Sequence, residues 1–216
     1  MVAMKQTSIE PLRRVTAREY LERERSAATK SEYHRGVLVA MAGASPEHNA
    51  IVFDMAVSLG LQLRGEPCQG FASDMRVRVP ACDKYYYPDI VVVCGEPRYQ
   101  HLGGIETLLN PTLIVEVLSE STEAADRGDK WICYQTLHSL QTYVLVSQDR
   151  VLVEVYQRAE RNWIYTTYED TNQVIALEAI LCELRVSEVY ARVPIAAAQH
   201  EVEPSGVETE LEEATK

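Results

Sequence analysis

Two carboxylates and one ammonium fall within a short stretch of this chain, each on a different expected element: Asp89, Glu116 and Lys130. Hard divalent cations take oxygen ligands, and a cation-bound water attacking phosphorus needs a nearby positive group as charge develops. The three side chains are therefore the kit for metal-assisted hydrolysis of a phosphodiester. Ile90 to Val93 after Asp89, and Leu113 to Leu118 around Glu116, are short apolar runs rich in β-branched residues, the pattern of buried strands. With a period of two, Asp89 shares a face with Val91 and Val93, and Glu116 shares a face with Ile114 and Leu118. An ionised carboxylate on such a row is too costly to bury alone and calls for a cation, a metal or a proton. A single strand acid could instead cap a loop or pair with an arginine; the pair favours the metal. A glycosidase would use Asp89 and Glu116 as its carboxylate pair with neither metal nor Lys130.

The elements that must position these groups follow from the rest of the pattern. Thr16-Ala17-Arg18-Glu19 forms a capping box opening a short charged helix to about Ala28. Glu32-Tyr33 and Val37 to Met41 flank His34-Arg35-Gly36 as a hairpin, and Ser45-Pro46 starts a core helix ended near Gly65. Phe71 to Val79 alternates as one strand, with Asp74, Arg76 and Arg78 on its solvated face and Asp74 a candidate outer acid. Residues 96–110 read as a loop or flap. Asp126 caps a helix that stacks Lys130 and Tyr134 at i and i+4. Strands over 142–146, 151–156, 162–167 and 174–177 complete an α+β order.

Tyr87-Pro88-Asp89-Ile90-Val91-Val92, Pro111 through Glu116 to Ser119, Ser121-Thr122, Asp126-Arg127, Lys130 and Tyr134 together resemble the Uma family of putative restriction endonucleases, within the PD-(D/E)XK nuclease superfamily. The likeness extends upstream to Glu32-Tyr33, Gly36 and Ser45-Pro46-Glu47-His48, and downstream to Trp163. It implies a restriction-endonuclease-like fold with a mixed, bent central β-sheet flanked by helices. It also implies an endonuclease acting on DNA with Mg²⁺, or Mn²⁺ as substitute, held by Asp89, Glu116 and the Val117 carbonyl. The superfamily lysine would stand at 118, where this chain has Leu118; the resemblance assigns that role to Lys130, with a simple pairing to Asp126 or Asp129 at a solvated helix start as its alternative. Glu32 is the candidate extra acid, with a surface hairpin glutamate as its alternative, and His48 stays in view as part of the resemblance.

Composition bounds the rest. The 216 residues, 46% hydrophobic and 25% charged, suit one globular unit, read as 16–193 between an arm (1–15) and an acidic tail (194–216). Five scattered cysteines without metal-ligand spacing read as free thiols. No apolar run approaches a membrane span and no signal-peptide order is present, so a cytoplasmic protein is expected. Net charge is −11, and the six glutamates after residue 200 against Lys216 account for −5, leaving −6. That acidity opposes phosphate binding and keeps open a module of nuclease fold that binds nucleic acid or a protein without cutting. A homodimer would let two sites address two strands.

Overall fold

The computed structural model describes residues 14–195, so nearly all of the expected arm and tail lies outside the described residues. The capping box forms: Thr16 accepts from Glu19 N, and Glu19 returns to Thr16 N, opening α1 (Ala17–Glu24). Helix α1 ends before Ala28, and Tyr20 and Leu21 are its buried residues. The hairpin follows as β1 (Ser31–His34) and β2 (Val37–Ala40), turned by Arg35 and Gly36 at positive φ. Ser45 caps α2 (Pro46–Gln62), with Pro46 in its first turn.

The expected single strand over 71–79 is two strands. β3 (Cys68–Ala72) and β4 (Val77–Val79) are parted at Ser73, whose φ is 63°. Then come β5 (Lys84–Tyr86) and β6 (Ile90–Cys94). The expected flap is a hairpin, β7 (Tyr99–Leu102) and β8 (Ile105–Leu108), turned at Gly103-Gly104. Gly103 has φ 65°, and a Cβ there would stand 2.8 Å from the Leu21 Cβ, so glycine lets the hairpin lie on α1. After β9 (Leu113–Leu118) the chain runs through α3 (Glu123–Ala125), a π turn at Asp126–Lys130 and α4 (Trp131–Tyr134). The remainder is β10 (Thr142–Ser147), β11 (Val153–Ala159), β12 (Asn162–Tyr168), β13 (Val174–Leu177), β14 (Cys182–Arg185) and α5 (Val186–Val189).

The architecture is α+β with mixed sheets, but the strands divide between two six-stranded sheets, ordered β2-β1-β5-β4-β8-β7 and β12-β11-β10-β9-β6-β3. In the second, β9 and β10 are parallel and the other pairs antiparallel. The chain crosses between the sheets at Tyr87-Pro88-Asp89. Proline cannot donate to a ladder, so a crossing is where it is tolerated. One face of the second sheet, with Ile90, Val92, Val115 and Val144, packs on α2, β14 and α5. The other, with Val91, Val93, Ile114, Leu118, Tyr143 and Leu145, meets Val77, Val79 and Leu108 of the first sheet and Tyr134 of α4. Glu116 lies on that second row, inside the packed layer between the sheets.

Four of the five cysteines are paired, Cys68 with Cys94 and Cys82 with Cys133; only Cys182 is free. The expectation of free thiols fails because the pairings are long-range: strand register sets Cys68 opposite Cys94, and folding brings the turn before β5 onto α4. Arg76 is buried between the Tyr20 and Tyr87 rings, 5.6 and 5.0 Å from their centroids, and so is not on a solvated face. No described helix is long and apolar enough to cross a membrane.

Candidate active site

Strand alternation turns Glu116 inward, and the π turn brings a helical face over it. Lys130 Nζ lies 3.2 Å from Glu116 Oε1, 2.9 Å from Asp126 Oδ1 and 3.3 Å from Glu32 Oε1. The bond to Glu116 is a directed hydrogen bond, and the contact with Asp126 is an ion pair at i, i+4. One turn on, the Tyr134 hydroxyl donates to the same Glu116 oxygen at 3.0 Å. The i, i+4 spacing of Asp126, Lys130 and Tyr134 thus delivers three polar groups to one buried strand acid. Asp126 is not the N-cap expected of it; it is inside the helical run and 1% exposed.

Three carboxylates around one ammonium leave an excess of negative charge, and the titration behaviour reflects it. Burial, followed by the neighbouring carboxylates of Asp126, Asp89 and Glu32, pushes the Glu116 carboxyl well above its ordinary value against the pull of Lys130. Burial alone would depress the Lys130 ammonium, but Glu116, Glu32 and Asp126 outweigh it and hold it well above the usual lysine range. Burial also raises Asp126, with Lys130 opposing. Glu32 goes the other way: burial would raise it, but the His34 hydrogen bond and the Lys130 charge bring it below the ordinary glutamate value. Glu32 is therefore no surface hairpin acid; it is 8% exposed, with His34 Nε2 3.1 Å from its Oε2.

Asp89 sits at the crossing between sheets, immediately before β6. Its Oδ2 accepts a hydrogen bond of 2.7 Å from Val117 N, and His48 Nε2, in the first turn of α2, is 3.2 Å from the same oxygen. The Val117 main chain thus meets Asp89 on the edge of β9 facing β6. Because a strand residue directs its N–H and C=O to the same edge, the Val117 carbonyl faces that edge too. Leu118 is buried on the Glu116 row, in the apolar layer between the sheets. Asp74 is outside it, mostly exposed and paired with Lys30.

The first sheet supplies residues that the sequence reading passed over. Tyr86 stacks edge-on against His34 and Tyr134, with its buried hydroxyl unpartnered among the described residues. Lys84 and Lys130 each place Nζ 5.6 Å from the centre of the Tyr86 ring. Alternation could have signalled these: His34 follows Glu32 by two and Lys84 precedes Tyr86 by two. Among the described residues no group of three or more His, Cys, Asp and Glu side chains is arranged to hold a metal ion. Two carboxylates with a main-chain carbonyl ask for only two such side chains, and all three donors are the hard oxygens that Mg²⁺ and Mn²⁺ take.

A mixed α+β fold with a carboxylate and lysine cluster between its sheets defines a protein of the restriction-endonuclease-like class. The chain matches the Uma2 family, described as putative restriction endonuclease, over residues 17–189, and it belongs to that family. It is 37% identical over 162 residues to the uncharacterized protein sll1609 of Synechocystis sp., covering 74% of this chain and 91% of that one. To slr1290 of the same organism it is 32% identical over 181 residues, covering 83% and 93%. A crystal structure of a putative nuclease belonging to DUF820 from Anabaena variabilis shares the fold. Its TM-score is 0.61 at 17% identity, over 76% of this chain and 92% of that one.

Proposed function

We propose that this protein is a metal-dependent endonuclease that hydrolyses phosphodiester bonds in DNA, with Mg²⁺ as its ion and Mn²⁺ as substitute. The observation that carries the reading is the convergence of Glu116, Glu32 and Asp126 on the Lys130 ammonium, beside an Asp89 fixed to the next residue of the same strand. Asp89, Glu116 and the Val117 carbonyl would hold the cation. When bound, it would lower the pKa of a water ligand and take up charge on the scissile phosphate.

The chain's own groups do the rest. Val117 N and His48 fix the Asp89 carboxylate, and Tyr134 fixes Glu116. Lys130 would turn the donors it does not spend on its carboxylates to the attacking water or the phosphate oxygens. Glu32, paired with His34, holds Lys130 from the opposite sheet. A cleavage assay on plasmid and single-stranded DNA with Mg²⁺, Mn²⁺ or EDTA tests the reading: product with either metal and none in EDTA supports it, and no product under any condition refutes it.

We also propose that two copies pair through α2 and β3. Phe53, Val57 and Leu61 are exposed at i, i+4 and i+8 on α2. β3 is the sheet edge beside it, and Cys68–Ala72 carries neither charge nor proline to guard that edge. Light scattering should give twice the chain mass, and Leu61→Glu should give the monomer.

A further inference from the structure

Strand β5 carries a second lysine into the cluster, and nothing in the arrangement described so far employs it. His34 pairs with Lys84 and Tyr33 with Tyr85 across β1 and β5, so Lys84 and Tyr86 share the face that bears Glu32 and His34. Tyr85 turns the other way, into the cluster with Tyr20 and Tyr33. The Lys84 stem therefore runs along the Tyr86 ring towards the place where Lys130 holds its three acids.

The two ammoniums differ in how they are matched. Lys130 is surrounded by carboxylates within 3.3 Å. The Lys84 side chain is as buried, 9% exposed, yet its ion pair is with Asp129 at 3.8 Å, beyond hydrogen-bond reach, and the Asp129 side chain is 82% exposed. The stem is covered while the Nζ keeps contact with solvent, and the water-exposed Asp129 holds it by charge alone, with no close acceptor among the described residues. What would complete the site is an anion with unshared oxygens arriving beside Asp129, and in a chain of net charge −11 a cation left so loosely paired is conspicuous.

We infer that Lys84 is the phosphate-holding cation beside the acid cluster: its Nζ takes a non-bridging oxygen of the substrate backbone and exchanges Asp129 for it. The inference rests on the nuclease reading and adds a division of labour, Lys130 at the reacting phosphate and Lys84 as a point charge for binding. No covalent step is involved. Both Nζ atoms stand 5.6 Å from the centre of the Tyr86 ring.

The test is the salt dependence of binding to a short labelled DNA duplex, measured in EDTA and again in Ca²⁺, for wild type, Lys84→Met, Lys84→Arg and Asp129→Asn. Each phosphate neutralised contributes about 0.9 to the slope of log K against log salt on duplex DNA. Lys84→Met, which keeps the stem on Tyr86, should weaken binding roughly 10-fold at low salt and flatten the slope by about 0.9. Lys84→Arg should keep the slope. Asp129→Asn, on an exposed side chain that folding does not need, should tighten binding by removing the competing carboxylate. An unchanged slope in Lys84→Met, with wild type binding DNA, overturns this inference and leaves the nuclease reading standing. Unchanged or weaker binding by Asp129→Asn overturns it equally, even if Lys84→Met fails to fold. Wild type that does not bind DNA at any salt overturns both together.

Discussion

Removing the Lys130 charge while keeping its stem, as Lys130→Met, should expose the logic of the cluster. Lys130 is 8% exposed and holds Glu116, Asp126 and Glu32, which are 3%, 1% and 8% exposed. Breaking a buried ion pair by deleting one partner costs about 3–5 kcal/mol, because the remaining charge is left uncompensated. For a chain of this size, each kcal/mol shifts the melting temperature by about 2–4 °C, so Lys130→Met should melt about 6–20 °C lower near neutral pH. The loss should shrink in acid, where the stranded carboxyls take up protons. Glu116→Gln combined with Lys130→Met should recover much of it, since neither member of the pair then remains charged. Single-turnover cleavage by Lys130→Met should fall roughly 10²- to 10⁴-fold, the range for losing a positioned electrostatic group. Leu118→Lys in the same background returns an ammonium to the Glu116 row and should restore part of the rate. A melting change worth at most about 1 kcal/mol, as for a solvated pair, together with full turnover, would refute the reasoning.

Three further outcomes follow from the same geometry. Saturating Mn²⁺ should stabilise the wild type by on the order of 1–3 kcal/mol through mass action, and Asp89→Asn should lose most of that gain in a melting experiment. Because the folded Glu116 carboxyl is raised above its ordinary value of 4.5, the folded state retains a proton that the unfolded chain has lost. Its contribution makes the metal-free protein less stable as pH rises from 4.5 through the folded value. Cation binding should accordingly strengthen with pH and release protons, read by calorimetry in buffers of different ionisation enthalpy. Tyr134→Phe removes a donor from a buried carboxylate and should cost about 1–3 kcal/mol, read by denaturant melts.

The acid-bearing rows were legible because strand alternation is local: Glu116 faces inward with Ile114 and Leu118, as its spacing requires. Helical spacing likewise puts Lys130 and Tyr134 on one side of a turn. What spacing could not convey was partnership between distant segments. Asp126 reads as a cap because Asp is a good one, and only the sheet above it makes it a buried acid. Arg76 alternates like a surface residue, yet lies between two tyrosines contributed by α1 and the crossing at Tyr87. The chain passes between the sheets repeatedly, including from β3 to β4, at Tyr87-Pro88-Asp89 and from β8 to β9, and alternation within a strand does not say to which sheet it belongs. The hairpin at 99–108 hid behind Gly103-Gly104, which reads as loop until the packing of α1 accounts for it. The Cys68–Cys94 disulfide depended on strand register, and Cys82–Cys133 on the packing of the turn before β5 against α4.

The most direct measurement compares nicking of supercoiled plasmid by wild type and by Glu116→Gln, expressed and purified side by side, in Mg²⁺, Mn²⁺ and EDTA. Glu116→Gln keeps the shape of the buried side chain while removing the charge that would hold the ion, so any contaminating nuclease would appear equally in both. The account predicts nicked and linear product from wild type with either metal, none in EDTA, and none from Glu116→Gln despite an intact fold by circular dichroism. Equal cleavage by the two proteins, or cleavage by wild type that persists in EDTA, would contradict it.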